Sequence, residues 1–197
     1  MSEVTFNSLL FRIVDRLEEI NALKEDRVRK HVLFLCKHNA KIEHRDDETI
    51  LSLIEKLKEG GFVGVNSLQM LKVILNNEEE WDFLDELGKF ETTRREYKKL
   101  LEKIIGALEK LNDLERLTSF VWERWNVPEE RRNDIRDVGS LVQVLEEMNV
   151  IGADCLNLFR ELFTELNNDE LLAELKEFQN RRTEDDKSRR RKGSLVA

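Results

Sequence analysis

The strongest constraint on this chain is internal: residues 53–90 register on residues 141–178, without a gap, at a constant offset of 88. At that offset Leu53/Leu141, Ile54/Val142, Leu57/Leu145, Leu68/Leu156, Leu71/Phe159, Ile74/Leu162, Phe83/Leu171, Leu84/Leu172, Leu87/Leu175 and Phe90/Phe178 pair apolar with apolar, and Gly64 pairs with Gly152. A second block registers at an offset of 91, matching Phe6/Tyr97, Leu9/Leu100, Leu10/Leu101, Ile13/Ile104, Val14/Ile105, Leu17/Leu108 and Ile20/Leu111. The change of offset places a small net insertion between the blocks of the first copy. Copies of about 85 to 90 residues are each large enough for a core of their own, unlike solenoid repeats of roughly 20 to 50 residues.

Composition then selects the class. One Pro and 8 Gly in 197 residues leave too few turn signals for an all-β chain, so the expectation is an all-α fold. A formal net charge of −8 argues against general nucleic-acid affinity, which needs a positive face, and points to protein partners. No apolar run approaches the roughly 18 residues needed to cross a bilayer, and residues 1–7 do not open an uninterrupted apolar signal segment. A cytoplasmic protein with no membrane partner is the expectation. Cys36 and Cys155 fall at non-equivalent places inside apolar helical patterns and read as free buried thiols of a reducing compartment.

Apolar spacing of 3 and 4 predicts a first helix through Phe6–Ile20 positions, then a second over 24–38. An irregular stretch at 40–45 follows. Asp46, Asp47 and Thr49 offer caps for a helix to Lys58, which Gly60-Gly61 ends; Asn66 caps another to Leu75. Glu78-Glu79-Glu80 places negative charge at the start of a last helix ending near Gly88. The second copy repeats the order: 93–111, 113–125, a short helix after Pro128, then 139–148, 154–166 and 168–180. The domains expected are 4–90 and 93–180, joined by the polar Glu91-Thr92-Thr93, a connection short enough to imply packed modules. Residues 181–197 hold seven basic and three acidic side chains without apolar periodicity, which predicts a disordered basic tail. Its Arg189-Arg190-Arg191-Lys192 run matches a nuclear-import patch, and Ser194 matches a basophilic-kinase site.

This order of helices, with Leu33-Phe34-Leu35-Cys36-Lys37 in the second helix, Phe120-Val121 at the corresponding place, and Gly152 and Leu171-Leu172 in the last block, resembles the death-effector domain of the death-fold superfamily. The resemblance covers about residues 4 to 180. A tandem with a minimal linker is similar to initiator-caspase prodomains and FLIP-type inhibitors. It implies two six-helix death-fold bundles packed in tandem, with Phe34, Leu35, Phe120 and Val121 as partner-binding residues.

Helical geometry singles out the phenylalanines independently. At ~100° per residue Val28, Val32, Leu35 and Cys36 share a face, and Phe34 lies ~240° from Val28. Leu114, Thr118, Val121 and Trp125 share the corresponding face, with Phe120 offset from Leu114 by the same angle. Each copy is therefore expected to expose an aromatic ring as an anchor, the residue type that dominates small interfaces. Trp81, Trp122 and Trp125 are expected to fill cores or the junction.

The sixth-helix motif of the family, Arg-x-Asp-Leu, is altered in both copies. The first reads Glu80, Trp81, Asp82, Phe83 and the second Asn168, Asp169, Glu170, Leu171, so the motif arginine is missing twice. The family's surface charge triad is thus not expected at these positions. Catalysis is not expected either: His38 and His31 stand two and five residues from Cys36, poor spacing for a thiol and its base on one helix. Three His and two Cys show no metal-ligand spacing, and no cofactor is implied. The resemblance therefore implies a non-enzymatic regulator of death-receptor apoptosis that binds the death-effector domains of an adaptor or initiator caspase, as a competitive inhibitor. The alternatives are a filament-nucleating prodomain that self-associates, an adaptor-type activator, or a helical scaffold unrelated to apoptosis.

Overall fold

A computed structural model describes residues 3–43, 45 and 47–193; side chains are described for these save Glu3, Val4, Asn39 and residues 185–193. Ser194 and Asp46 lie outside the described residues. The fold is all-α. Its helices are α1 (Glu3–Leu23), α2 (Arg27–Leu35) with a π-turn over Cys36–Ala40, α3 (Ile50–Glu59), α4 (Gln69–Asn77), α5 (Trp81–Leu111), α6 (Leu114–Trp125), α7 (Glu129–Arg132), α8 (Val138–Glu147), α9 (Asn157–Glu165) and α10 (Asp169–Gly193). The chain divides into two compact units, Glu3–Glu91 and a second from Thr92.

In the first unit α1 buries the stripe Phe6, Leu9, Leu10, Ile13, Val14, Leu17 and Ile20, and α2 adds Val28, Val32 and Leu35. The Thr49 hydroxyl accepts from Ser52 N at 3.2 Å and starts α3. Gly61, at φ 76°, lets the chain leave it. Asn66 does not cap the next helix. Gly64 and Ser67 exchange backbone hydrogen bonds of 3.1 and 3.0 Å, and Ser67 Oγ donates to the Phe62 carbonyl, so the turn is closed before α4 begins at Gln69.

The second unit repeats these details at the offsets read from the sequence. Gly152 and Cys155 exchange the same pair of backbone bonds as Gly64 and Ser67. Phe6 packs on Phe90 with ring centroids 5.5 Å apart, and Tyr97 packs on Phe178 at 6.3 Å. Arg12 pairs with Glu86 at 2.7 Å, and Lys103 with Glu174 at 2.6 Å. Each contact joins the block offset by 91 to the block offset by 88, so both units bring the start and end of their repeat together in the same way. The turns correspond too: Gly61 and Asn149 both have positive φ, as do Glu79 and Asn167.

Three expectations change. The polar stretch at 91–93, where the two units divide, is helical, because α5 runs unbroken through Gly88, Glu91 and Thr93. Gly88 costs a helix about 1 kcal/mol relative to Ala, but the Leu, Lys, Glu and Arg around it are good helix formers and no φ > 0 residue interrupts them. The stretch from Arg181 is likewise helical to Gly193 instead of disordered. Glu177 pairs with Arg181 one turn on, and Arg182 bonds the Ala153 carbonyl and the Asp154 carboxylate, anchoring the segment that follows Phe178. Trp81 fills no core: at the first position of α5 it is 62% exposed. Trp122 and Trp125 do pack against the core of the second unit.

Candidate partner-binding site

The two phenylalanines at the same helical angle meet different fates. Phe34 is 56% exposed and lies against the exposed His38 ring, centroids 4.4 Å apart and the planes tilted by 36°. Phe120 is only 8% exposed and belongs to the core of the second unit. The difference lies three residues earlier. Leu117 precedes Phe120 as His31 precedes Phe34, and its buried apolar side chain widens the inward arc of α6 to include residue 120. Arg124 then lies over the Phe120 ring at 5.3 Å and pairs with Glu161 at 3.4 Å, closing the site from outside. Leu35 and Val121 are both buried. Of the four expected partner-binding residues, only Phe34 exposes its side chain; Leu35, Phe120 and Val121 hold their helices in the cores.

Around Phe34 the surface is basic. Arg27, Lys30 and Lys37 are exposed at i−7, i−4 and i+3, and none forms an ion pair among the described residues. Asp26, at the start of the same helix, has other partners. Its carboxylate accepts from Arg29 at 2.7 and 3.1 Å and from Asn21 Nδ2 at 2.9 Å, and Arg29, then Asn21, hold it below the usual carboxylate range. Asn21 Oδ1 also accepts from Arg29 N, so this group fixes the turn that launches α2.

Beneath the surface sits a polar cluster that the sequence reading missed. The Glu78 side chain is 0% exposed, accepts from Lys24 Nζ at 3.1 Å and from Asn77 Nδ2 at 2.7 Å, and faces His31 Nδ1 at 4.0 Å. That His31 nitrogen is buried without a hydrogen-bond partner. The same places in the second copy hold Leu166 and Leu117. Two polar-for-apolar mismatches within an otherwise matched repeat are the signal that would have found the cluster. A buried carboxylate is costly unless paired, so Lys24 is needed where the second copy needs nothing.

Burial, opposed by Glu78 and assisted by Arg27, holds His31 below the ordinary histidine value. The fold therefore favours the neutral ring, and the unfolded chain takes up the proton first. The stability contributed is present above about pH 6.5 and is lost as pH falls through the folded value. Thermal unfolding from about pH 5 to 8 is expected to show the wild type losing stability on acidification relative to His31→Leu. A difference independent of pH would refute a neutral, buried His31.

The altered sixth-helix positions separate as well. Glu80 accepts from Arg16 Nε of α1 at 3.1 Å, so a basic group from the first helix meets the acid that stands in the place of the motif arginine. Asp82 is exposed. Asn168 Oδ1 accepts from Leu171 N at 3.0 Å and caps α10, and Glu170 is exposed beside it. Both cysteines are free. The Cys36 thiol is buried and burial pushes it up, while Cys155 Sγ donates to the Val150 carbonyl at 3.3 Å. No group of three or more His, Cys, Asp or Glu side chains among the described residues is arranged to hold a metal ion, and no described helix is long and apolar enough to cross a membrane. No protein-family model, curated protein or solved structure matches the chain.

Proposed function

We propose that this chain is a non-enzymatic tandem death-effector protein, each unit a six-helix death fold, that docks on the death-effector domain of an adaptor or initiator caspase in the cytoplasm. It regulates death-receptor apoptosis by occupying that surface, as a competitive inhibitor. In the first unit the described residues between Lys41 and Thr49 are not helical, at the place where the short α7 stands in the second. The reading is supported by the matched closing contacts of the two copies, and the observation that carries it is the exposed Phe34 ring on an ordered helix. An aromatic with two rotatable torsions offers large contact area at small entropic cost.

Phe34→Asp is expected to abolish capture of purified adaptor or caspase death-effector domains while leaving helical circular dichroism and the unfolding midpoint unchanged. Substitutions at such an exposed site usually alter stability by about 0.5 kcal/mol or less. Capture at wild-type level by the variant would sink the assignment.

A further inference from the structure

The two copies differ in charge around their phenylalanines, opposite in sign at two of three matched positions and basic at the third in both. Positions i−7, i−4 and i+3 are Arg27, Lys30 and Lys37 about Phe34, but Asp113, Arg116 and Glu123 about Phe120. All six are exposed. In a chain of net charge −8, three cations without an ion pair among the described residues, sharing a face with an exposed ring, form a local field opposite in sign to the whole. The ring itself is open in one copy and, in the other, buried beneath Arg124.

We propose that the chain is a one-headed binder: a protein partner with an acidic docking face seats on α2 of the first unit, and α6 of the second unit takes none. This rests on the reading above and adds the chemistry and number of the partner. The acidic character follows from complementarity, since Arg27, Lys30 and Lys37 form no ion pair among the described residues, and the Asp26 carboxylate near Lys30 is held by Arg29 and Asn21. Carboxylates on the partner would pair with these three while the Phe34 ring enters an apolar recess between them. Charge of this kind acts chiefly through the association rate and is screened by salt. The single head follows from Phe120, which can reach a partner only by leaving the core of its unit. A binder with one such face occupies a partner without offering an equivalent face to the next.

The test titrates purified adaptor and caspase death-effector domains, as probes, against the full-length chain. Arg27→Glu/Lys30→Glu/Lys37→Glu is expected to weaken binding at least about tenfold at roughly 0.1 M salt, and Arg116→Glu to leave it unchanged. On the unmodified chain, raising salt from about 0.05 to about 0.3 M is expected to weaken binding, which keeps the test independent of how the triple variant folds. Sedimentation is expected to give one probe per chain. Binding that survives the triple reversal and is insensitive to salt overturns this inference while leaving the Phe34 reading in place. Two probes per chain overturns the single head. Failure of the wild type to bind any death-effector domain overturns the reading itself, and the inference with it. Salt-sensitive self-association that requires Lys30 and Lys37 would make a second copy the occupant and overturn the partner named here.

Discussion

Phe90→Ala is expected to destabilise the first unit by about 3–5 kcal/mol, the usual loss when a buried phenylalanine is truncated and its cavity only partly collapses. Phe90 is fully buried and its ring meets Phe6, so the substitution strips the contact that joins the first helix of the unit to its last. An 89-residue unit has a total stability of roughly 4–13 kcal/mol, and the loss is a large share of it. Urea unfolding followed by helical circular dichroism is expected to show the midpoint moving strongly to lower urea. Phe178→Ala, which removes the matching contact with Tyr97, is expected to do the same to the second unit. A midpoint shift no larger than that of Phe34→Ala would show that the closing pair is not a keystone of the fold.

Thr92→Pro is expected to cost about 3 kcal/mol or more, because proline in a helix interior removes an amide donor and its ring clashes with the carbonyl four residues back. Thr92 is exposed and stands inside the 31-residue α5, where the backbone amide belongs to the helix ladder. Thr92→Ala is the control and is expected to be neutral or slightly stabilising, since alanine is the better helix former. A polar linker would accept proline readily. Equal stability of the proline variant and the wild type, measured by thermal unfolding, would therefore contradict an unbroken α5.

Much of the fold was legible because apolar periodicity is enforced by burial. The buried stripe of α1 and the helices α3 and α8 follow the sequence pattern closely. Boundaries were less legible where local hydrogen bonds compete. Asn66 is a good cap by type, yet the backbone pairing of Gly64 with Ser67 had already closed that turn. Gly88 resembles a helix stop, but stopping requires a positive φ that it does not adopt. The site was half legible. Helical angle puts Phe34 and Phe120 at the same bearing, but burial also depends on what flanks them, and Leu117 against His31 decides it. The Glu78 cluster was hidden because its members are distant in sequence, and only the fold brings Lys24, His31 and Glu78 together.

The turns of the two copies carry a last consequence. Among the described residues, the non-glycine positions with positive φ in the second unit are Asn112, Asn126, Asn149 and Asn167, all of the residue type that tolerates this backbone best after glycine. In the first unit they are Glu25, Asp26, Lys41 and Glu79, of which the two glutamates and the lysine gain nothing comparable locally. A left-handed residue of that kind costs roughly 1–2 kcal/mol. Backbone cost of this kind therefore weighs more on the half that bears Phe34 than on the half that does not. On the docking proposed above, the supply of competent molecules in a cell would depend on how well that repeat stays folded, which brings temperature and chaperone traffic, as well as contact chemistry, into its action.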